Sequence, residues 1–168
     1  MALRTNKQWW GVALDAPDGP ALAHFYERLL GWTIFTESPG WTTLAPSKEA
    51  GYNLAFMTEE KYVRPVWPAE DGQQQMSMHL DIEVDDLEAA VAYAVEVGAE
   101  LASYQPQETV RVMLDPAGHP FCLYVDGRPS RSHSSISRCR RGAPRSAKAR
   151  WARTYSCLPS AVSTRTGS

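Results

Sequence analysis

The sequence predicts an α+β fold built from two βαβββ modules. The first observation is an internal repeat: the shift that aligns Gly11 with His79 also aligns residues 21–26 with residues 89–94. The second is that the apolar period changes from two to about 3.6 within each copy, which is typical of a strand followed by a helix. The third is a series of short β-prone runs after each helix, separated by turn residues. A repeated unit of this kind predicts two related modules.

Module one is expected over residues 9–58. Period-two alternation from Trp9 predicts its first strand. Asp18 as a cap and Pro20 in the first turn predict the start of a helix that ends at Gly31. Three further strands are expected at residues 32–36, 40–45 and 52–57.

Module two is expected over residues 77–126, after a linker at residues 58–76 that contains prolines and a glutamine run. Its helix is expected to start at a capping box formed by Asp85 and Glu88 and to end at Gly98. Strands are expected at residues 78–84, 99–103, 109–114 and 121–125, with a hairpin turn at residues 115–118.

Charge separates the chain into two parts. Residues 1–127 hold all 19 acidic residues and seven basic ones, a net charge of −12, whereas residues 128–168 hold ten basic residues and no acidic one. This tail is rich in Ser and Ala and buries too little apolar surface to offset the entropy of ordering, so we expect it to be disordered. Nucleic-acid binding is one interpretation of its charge. The absence of aromatic interleaving and of any amphipathic period instead favours a chance or out-of-frame extension.

The cysteines and the hydropathy indicate a cytoplasmic protein that does not contact membranes. Cys122 lies in an apolar run and Cys139 and Cys157 lie in the tail, which excludes a disulfide framework and a Cys-x-x-Cys zinc pattern. No stretch approaches the ~20 apolar residues of a membrane span, and the first residues lack the apolar region of a signal peptide.

Four segments, in their order and spacing, resemble the vicinal oxygen chelate superfamily, and within it the bacterial glyoxalase-like branch related to bleomycin-resistance proteins. They are residues 25–32, 79–90, 98–99 and 115–123. The resemblance implies that the two modules curve a mixed sheet around one cup. It also implies that metal-dependent members hold a divalent ion there, with ligands from the first and last strand of each module.

The positions that the resemblance implies as metal ligands are Gly11, Ala55, His79 and Cys122. Only His79 suits a hard or borderline ion, because Gly11 and Ala55 carry no donor atom. We therefore expect no metal and no other cofactor, with His79 as the sole candidate for a metal ligand. His79 is also the sole candidate for a catalytic general base, since Asp81 would lie on the same strand face.

Period-two alternation from these positions predicts a cup lined mainly by apolar side chains, which suits a small organic ligand. The remaining histidines are interpreted structurally, His119 as a turn residue and His24 as a residue on a helix face. Cys122 is expected to be a small buried hydrophobic residue. The predicted ligand-binding residues are Trp9, Trp41, Asn53, Met57, His79, Asp81, Met113, Cys122 and Tyr124.

An apolar cup without a full set of metal ligands favours metal-independent binding of a small organic molecule, by sequestration as in drug-resistance relatives, over catalysis. Two alternatives stay open. One is a metal-dependent lyase, isomerase or dioxygenase with His79 as a surviving ligand. The other is a homodimeric interaction module in which aromatic residues pack against a second copy. Fold alone does not decide among them.

Overall fold

The structure, a computed structural model, describes residues 8–126. The order βαβββ occurs twice, so the predicted α+β architecture of two modules is confirmed. The predicted disorder of the tail, residues 128–168, concerns a segment outside the described residues. The elements are β1 (Trp10–Ala16), α1 (Gly19–Leu30), β2 (Thr33–Ser38), β3 (Trp41–Ala45), β4 (Tyr52–Thr58), β5 (Leu80–Glu83), α2 (Leu87–Glu96), β6 (Glu100–Leu101), β7 (Val110–Leu114) and β8 (Pro120–Tyr124).

The eight strands form two separate four-stranded sheets of the same topology. The strand order is β1-β4-β3-β2 in the first sheet and β5-β8-β7-β6 in the second. β1 pairs with β4 and β5 pairs with β8 in parallel, whereas the other neighbours are antiparallel, so both sheets are mixed. The edge strands are consequently β1 and β2 in the first sheet and β5 and β6 in the second.

The ends of α1 follow from local sequence. The Asp18 carboxylate accepts a hydrogen bond of 2.9 Å from the backbone N–H of Ala21, and Pro20 lies in the first turn, where no N–H is needed. Gly31 ends the helix with a φ of 65°, a left-handed conformation that glycine adopts without strain. The predicted cap, first turn and stop of this helix are all confirmed.

The cap of α2 lies one residue later than predicted. Asp86, not Asp85, accepts a hydrogen bond of 3.1 Å from the backbone N–H of Ala89. The Asp-x-x-Glu spacing of a capping box pointed to Asp85. The true cap is the residue whose side chain accepts a hydrogen bond from the backbone N–H of the third helical residue. The sequence pattern does not show which aspartate makes that bond. Neither helix within residues 8–126 is long and apolar enough to span a membrane.

Aromatic side chains of α1 join the two modules in one core. Phe25 and Tyr26 are each 1% exposed, and they pack on the fully buried Phe56 of β4 and Phe121 of β8. The ring centroids of Phe25 and Phe121 lie 6.3 Å apart in an edge-to-face arrangement, which is favourable beyond the area buried. The helix of module one therefore contributes directly to the core beneath the sheet of module two.

A buried carboxylate reinforces this junction. Asp115, in the turn between β7 and β8, is 1% exposed and accepts a hydrogen bond of 3.0 Å from the Tyr26 hydroxyl. Burial and the adjacent Asp115 charge raise the pKa of Tyr26 well above its usual range, so the phenol is a neutral donor. Asp115 is thus held at the contact between α1 and module two.

Replacing Tyr26 by Phe removes only the hydroxyl and leaves the aromatic packing in place. We expect the free energy of unfolding to fall by about 2 kcal/mol, because a buried hydrogen bond to a charged group is lost. Tyr93→Phe is the matched control, since its hydroxyl bonds to the Arg28 carbonyl oxygen at an exposed position. Urea unfolding of the two variants measures the difference. Equal losses would contradict a special role for the Tyr26–Asp115 bond.

Candidate functional site

The sheet faces that point away from the helices carry most of the predicted ligand-binding residues. In the first sheet, Gly11 pairs with Asn53, Ala13 with Ala55, and Met57 with Trp41, which places these side chains on one face. In the second sheet, Asp81 pairs with Cys122 and Glu83 with Tyr124 on the corresponding face, and His79 directly precedes β5. The predicted set is therefore divided between two sheets.

One predicted ligand-binding residue lies elsewhere. Met113 pairs with Phe121 and is fully buried in the core, so the prediction that it lines the cup is wrong. The loops around β7 set this register, and their geometry cannot be read from alternation alone. Trp9 precedes β1 and is 47% exposed, with its ring 6.5 Å from that of Phe35.

The four positions implied as metal ligands do not form a four-ligand site. A side chain at Gly11 would collide with the amide oxygen of Asn53, so the space at this position is already filled. Ala55 is buried and has no donor atom. Only the module-two positions, His79 and Cys122, offer ligand atoms, and the donor set that the resemblance implies does not fit a metal bound between the modules.

The structure places a third donor beside the two that remain in module two. Nε2 of His79 lies 3.2 Å from Oδ1 of Asp81, and the ligand atoms of His79, Asp81 and Cys122 all lie within 4.8 Å of one another. The histidine and aspartate are partly exposed, and the cysteine is buried. This cluster lies on the open face of the second sheet.

A cavity of about 380 Å³ lies beside β1, outside the predicted site. Its walls come from β1, from the segment that joins the modules and from the start of β8. None of the nine predicted ligand-binding residues, all of which the structure describes, lines it. The lining residues are Ala13, Leu14, Asp15, Glu59, Lys61, Tyr62, Val63, Pro65, Gln74, Gln75, Met76, Ser77, Met78, His119 and Pro120.

A chain of hydrogen bonds runs from the core to this cavity. Asp115 accepts from the backbone N–H of His119 at 2.9 Å, and its other oxygen lies 2.9 Å from Nδ1 of the same histidine. Nε2 of His119 lies 3.2 Å from the Tyr62 hydroxyl, which also lies 2.9 Å from the carbonyl oxygen of Ala117. The buried carboxylate thus orients His119, and His119 orients Tyr62 at the cavity wall.

Tyr62 has one hydroxyl proton, so at any time it donates a hydrogen bond either to Nε2 of His119 or to the Ala117 carbonyl oxygen. When the His119 imidazole is neutral, with its proton on Nδ1 facing Asp115, Nε2 accepts the bond from Tyr62. When the imidazole is protonated, Nε2 donates to Tyr62, whose own proton then bonds to the Ala117 carbonyl oxygen. The His119–Tyr62 pair therefore stays hydrogen-bonded in both states.

The cavity lining carries more negative than positive charge. Asp15 and Glu59 are acidic and Lys61 is basic among the lining residues that the structure describes. Burial and the Asp115 charge raise the pKa of Tyr62 to about 12, so its hydroxyl is neutral at physiological pH. The polar side of the cavity accordingly favours a hydrogen-bonding group, and a cation over an anion.

Polar contacts fasten the joining segment to module two. Nη1 of Arg64 donates to the Pro116 carbonyl oxygen at 3.1 Å, and Nε1 of Trp67 donates to the Tyr104 carbonyl oxygen at 3.3 Å. The Arg64 side chain passes over Gly118, where a Cβ would collide with the guanidinium group. Gly118 also has a φ of 96°, which L side chains rarely adopt. Two constraints therefore require glycine at this turn.

The residues that build this cavity were not among the predicted site residues. Residues 58–76 were interpreted as a linker, yet they supply Glu59, Lys61, Tyr62 and several other wall residues. His119 was assigned a structural role in the turn, and the structure adds its contacts with Asp115 and Tyr62. The spacing of Asp115 and His119 is a visible signal, but Tyr62 meets them only in three dimensions.

Comparison with known proteins identifies relatives of this fold. A family model described as a glyoxalase-like domain matches residues 11–124. A glyoxalase/bleomycin resistance protein/dioxygenase family enzyme from Burkholderia phytofirmans PsJN has 18% identity and a TM-score of 0.51, over 68% of this chain and 95% of its own. A glyoxalase-related enzyme from Fulvimarina pelagi has 20% identity and a TM-score of 0.52, over 71% and 88%. No curated protein matches significantly.

The raised pKa values of Tyr26 and Tyr62 predict a loss of stability at high pH. Both phenols stay protonated in the folded protein above the ordinary value of 10.0. Stability is therefore fully present below pH 10 and falls as the pH rises toward 12. We expect Tyr62→Phe to lose less stability than the wild type over this window. Phenolate absorbance measures the ionisation of the tyrosines and urea unfolding measures the stability at each pH, and the urea-unfolded chain supplies the reference titration. The same pH dependence of stability in Tyr62→Phe and the wild type would contradict the raised pKa of Tyr62.

Proposed function

Because the chain belongs to the glyoxalase-like domain family of the vicinal oxygen chelate superfamily, we propose that it binds a small organic molecule without a metal. We assign the binding site to the cavity beside β1. The observation that carries this proposal is a half-open cavity of about 380 Å³ that the Asp115–His119–Tyr62 chain reaches from the core. Pockets for small ligands have volumes of about 300–1,000 Å³ and combine apolar walls with a few fixed polar groups.

The cavity walls favour an amphiphilic ligand. Leu14, Val63, Met76 and Met78 provide apolar surface, and methionine adapts to different ligand shapes. The lining also carries polar groups, among them Asp15. We infer a ligand with an apolar body and one polar group, and the excess of carboxylates favours a protonated amine.

The state of the polar groups favours binding over catalysis. Both ring nitrogens of His119 are already hydrogen-bonded within the protein, to Asp115 and Tyr62. The raised pKa of Tyr62 makes it a poor general base at neutral pH. The cavity thus holds oriented groups that recognise a ligand, in agreement with sequestration of an unchanged molecule.

The metal-dependent enzyme alternative has less support. Its metal would need ligands from both modules, and module one supplies Gly11 and Ala55 at the relevant positions. The homodimeric module likewise stays a prediction. Its basis is the exposed aromatic side chains of the first module, among them Trp10, Trp41 and Tyr52, each 39–52% exposed.

A series of three probes with the same phenyl body tests the ligand class: phenethylamine, 2-phenylethanol and 3-phenylpropionate. We expect the amine to raise the melting temperature most and the carboxylate least. A ligand at ten times its Kd stabilises by about 1.4 kcal/mol, which is a shift of several degrees for a domain of this size. Measurements with and without EDTA test metal independence, since equal shifts support it.

Ala13→Leu locates the binding site, because Ala13 is an exposed residue of β1 that lines the cavity. The larger side chain fills the cavity, and we expect the amine-induced shift to be lost while the protein stays folded. Ala92→Leu on the exposed side of α2 is the matched control, with the wild-type shift expected. Equal shifts in both variants would place binding elsewhere, and no shift with any of the three probes would contradict the proposed ligand class.

A further inference from the structure

We propose that the cavity beside β1 selects ammonium groups that carry N–H bonds over quaternary ammonium groups. The specificity-determining residues are Asp15 and Tyr62, whose carboxylate and hydroxyl oxygen act as two hydrogen-bond acceptors on the cavity wall. This inference rests on the proposed binding of an amine in the cavity and deepens it by naming the chemical subclass. A preference for positive charge alone would accept both kinds of cation.

Asp15 is the lining carboxylate that is free to accept from a ligand. Within residues 8–126, its side chain makes no hydrogen bond and no ion pair. Glu59, the other lining carboxylate, already accepts a hydrogen bond of 2.9 Å from the backbone N–H of Lys61. An ionised carboxylate has no proton to donate, so Asp15 presents acceptors only.

Lys61 does not neutralise this carboxylate. It lines the same cavity, but none of the ion pairs among the residues that the structure describes includes its side chain. The Asp15 charge therefore has no partner of opposite sign within the described part of the chain. A ligand ammonium group would supply that partner, and its N–H bonds would make the contact a charge-assisted hydrogen bond.

Backbone hydrogen bonds hold Tyr62 near Asp15. The N–H of Glu59 donates to the carbonyl oxygen of Ala16 at 2.8 Å, which fastens the joining segment to the residue after Asp15. The N–H of Tyr62 donates to the carbonyl oxygen of Glu59 at 3.1 Å and closes a turn. Burial and the Asp115 charge raise the pKa of Tyr62 most, and the Asp15 charge adds to them. The Asp15 carboxylate is therefore close enough to act electrostatically on the Tyr62 hydroxyl.

Tyr62 presents an acceptor to the cavity, because its hydroxyl proton is used inside the protein. The proton bonds to Nε2 of His119 when the imidazole is neutral, and to the Ala117 carbonyl oxygen when the imidazole is protonated. A lone pair of the hydroxyl oxygen is left in both states. Two acceptors, one of them charged, suit a cation with at least two donors. A primary or secondary ammonium group has these donors, and a quaternary one has none.

Three cations with the same phenyl body test the inference: phenethylamine, N-methylphenethylamine and phenethyltrimethylammonium. All three are positively charged at neutral pH, and the number of N–H donors falls from the first to the last. We expect the Kd, measured by calorimetric titration of the full chain, to rise in that order. The quaternary cation should bind roughly 10- to 100-fold more weakly than phenethylamine, because it loses hydrogen bonds to a charged group.

Asp15→Asn removes the charge of one acceptor and keeps the size of the side chain. We expect it to weaken phenethylamine binding roughly 10- to 100-fold and to narrow the gap between phenethylamine and the quaternary cation. Tyr62→Phe removes the second acceptor and should narrow the same gap. Asp85→Asn is the matched control, since it removes an exposed carboxylate that does not line the cavity, and the wild-type gap is expected. Unchanged melting of the ligand-free variants confirms folding.

A second readout follows the Tyr62 hydroxyl itself. In protein labelled with ¹³C at tyrosine Cζ, saturating phenethylamine should shift the resonance of Tyr62, which Tyr62→Phe assigns. The quaternary cation should shift it less. Tyr26 is the internal control, because its hydroxyl bonds to Asp115 in the core and does not line the cavity. A shift confined to Tyr62 would support the hydroxyl oxygen as an acceptor for the ligand.

The outcomes separate this inference from the proposed function. Equal or tighter binding of the quaternary cation, which recognition by aromatic faces would give, would overturn the inference and leave amine binding in place. An unchanged gap in both Asp15→Asn and Tyr62→Phe, or a Tyr62 resonance that does not respond to phenethylamine, would overturn it as well. Absence of phenethylamine binding would instead contradict the proposed function, and the inference with it.

Discussion

The need to satisfy one buried carboxylate organises this molecule. Asp115 lies in the β7–β8 turn at 1% exposure, where an unpaired charge would cost several kcal/mol. Its partners are the hydroxyl of Tyr26 and the backbone and ring of His119. Because Tyr26 belongs to the helix of module one, the carboxylate gains this third hydrogen bond only when that helix packs against module two. The edge-to-face contact of Phe25 with Phe121 is compatible with the same placement.

The cavity depends on the same arrangement. Asp115 fixes the ring of His119, and His119 fixes the Tyr62 hydroxyl at the wall. The segment that joins the modules is therefore a structural part of the site: Arg64 bonds to the β7–β8 turn, and Trp67 bonds to the loop between β6 and β7. A change in the packing of the modules would displace both the polar groups and the wall of the cavity. Ligand recognition in the cavity therefore depends on the packing of the core.

The two modules share a topology but not a chemistry. At the repeat-related positions, module one has Gly11 and module two has His79. In the first sheet, the amide of Asn53 occupies the space beside Gly11. In the second sheet, Asp81 joins His79 to make a cluster of donors. Backbone pairing between strands holds each module together whichever side chains lie on the open face of its sheet. The two open faces can therefore carry different side chains without disturbing the packing of the core.

Interactions between residues close in sequence made the fold predictable, but they did not determine the site. Alternation, the caps at Asp18 and Gly31 and the repeat depend on neighbouring residues, and these features determined the two βαβββ modules. The phase of β7, which buries Met113, and the meeting of Tyr62 with His119 across 57 positions of sequence depend on loop geometry and packing. Only the tertiary structure could decide them, because hydrogen bonds between distant residues leave no periodic signal in the chain.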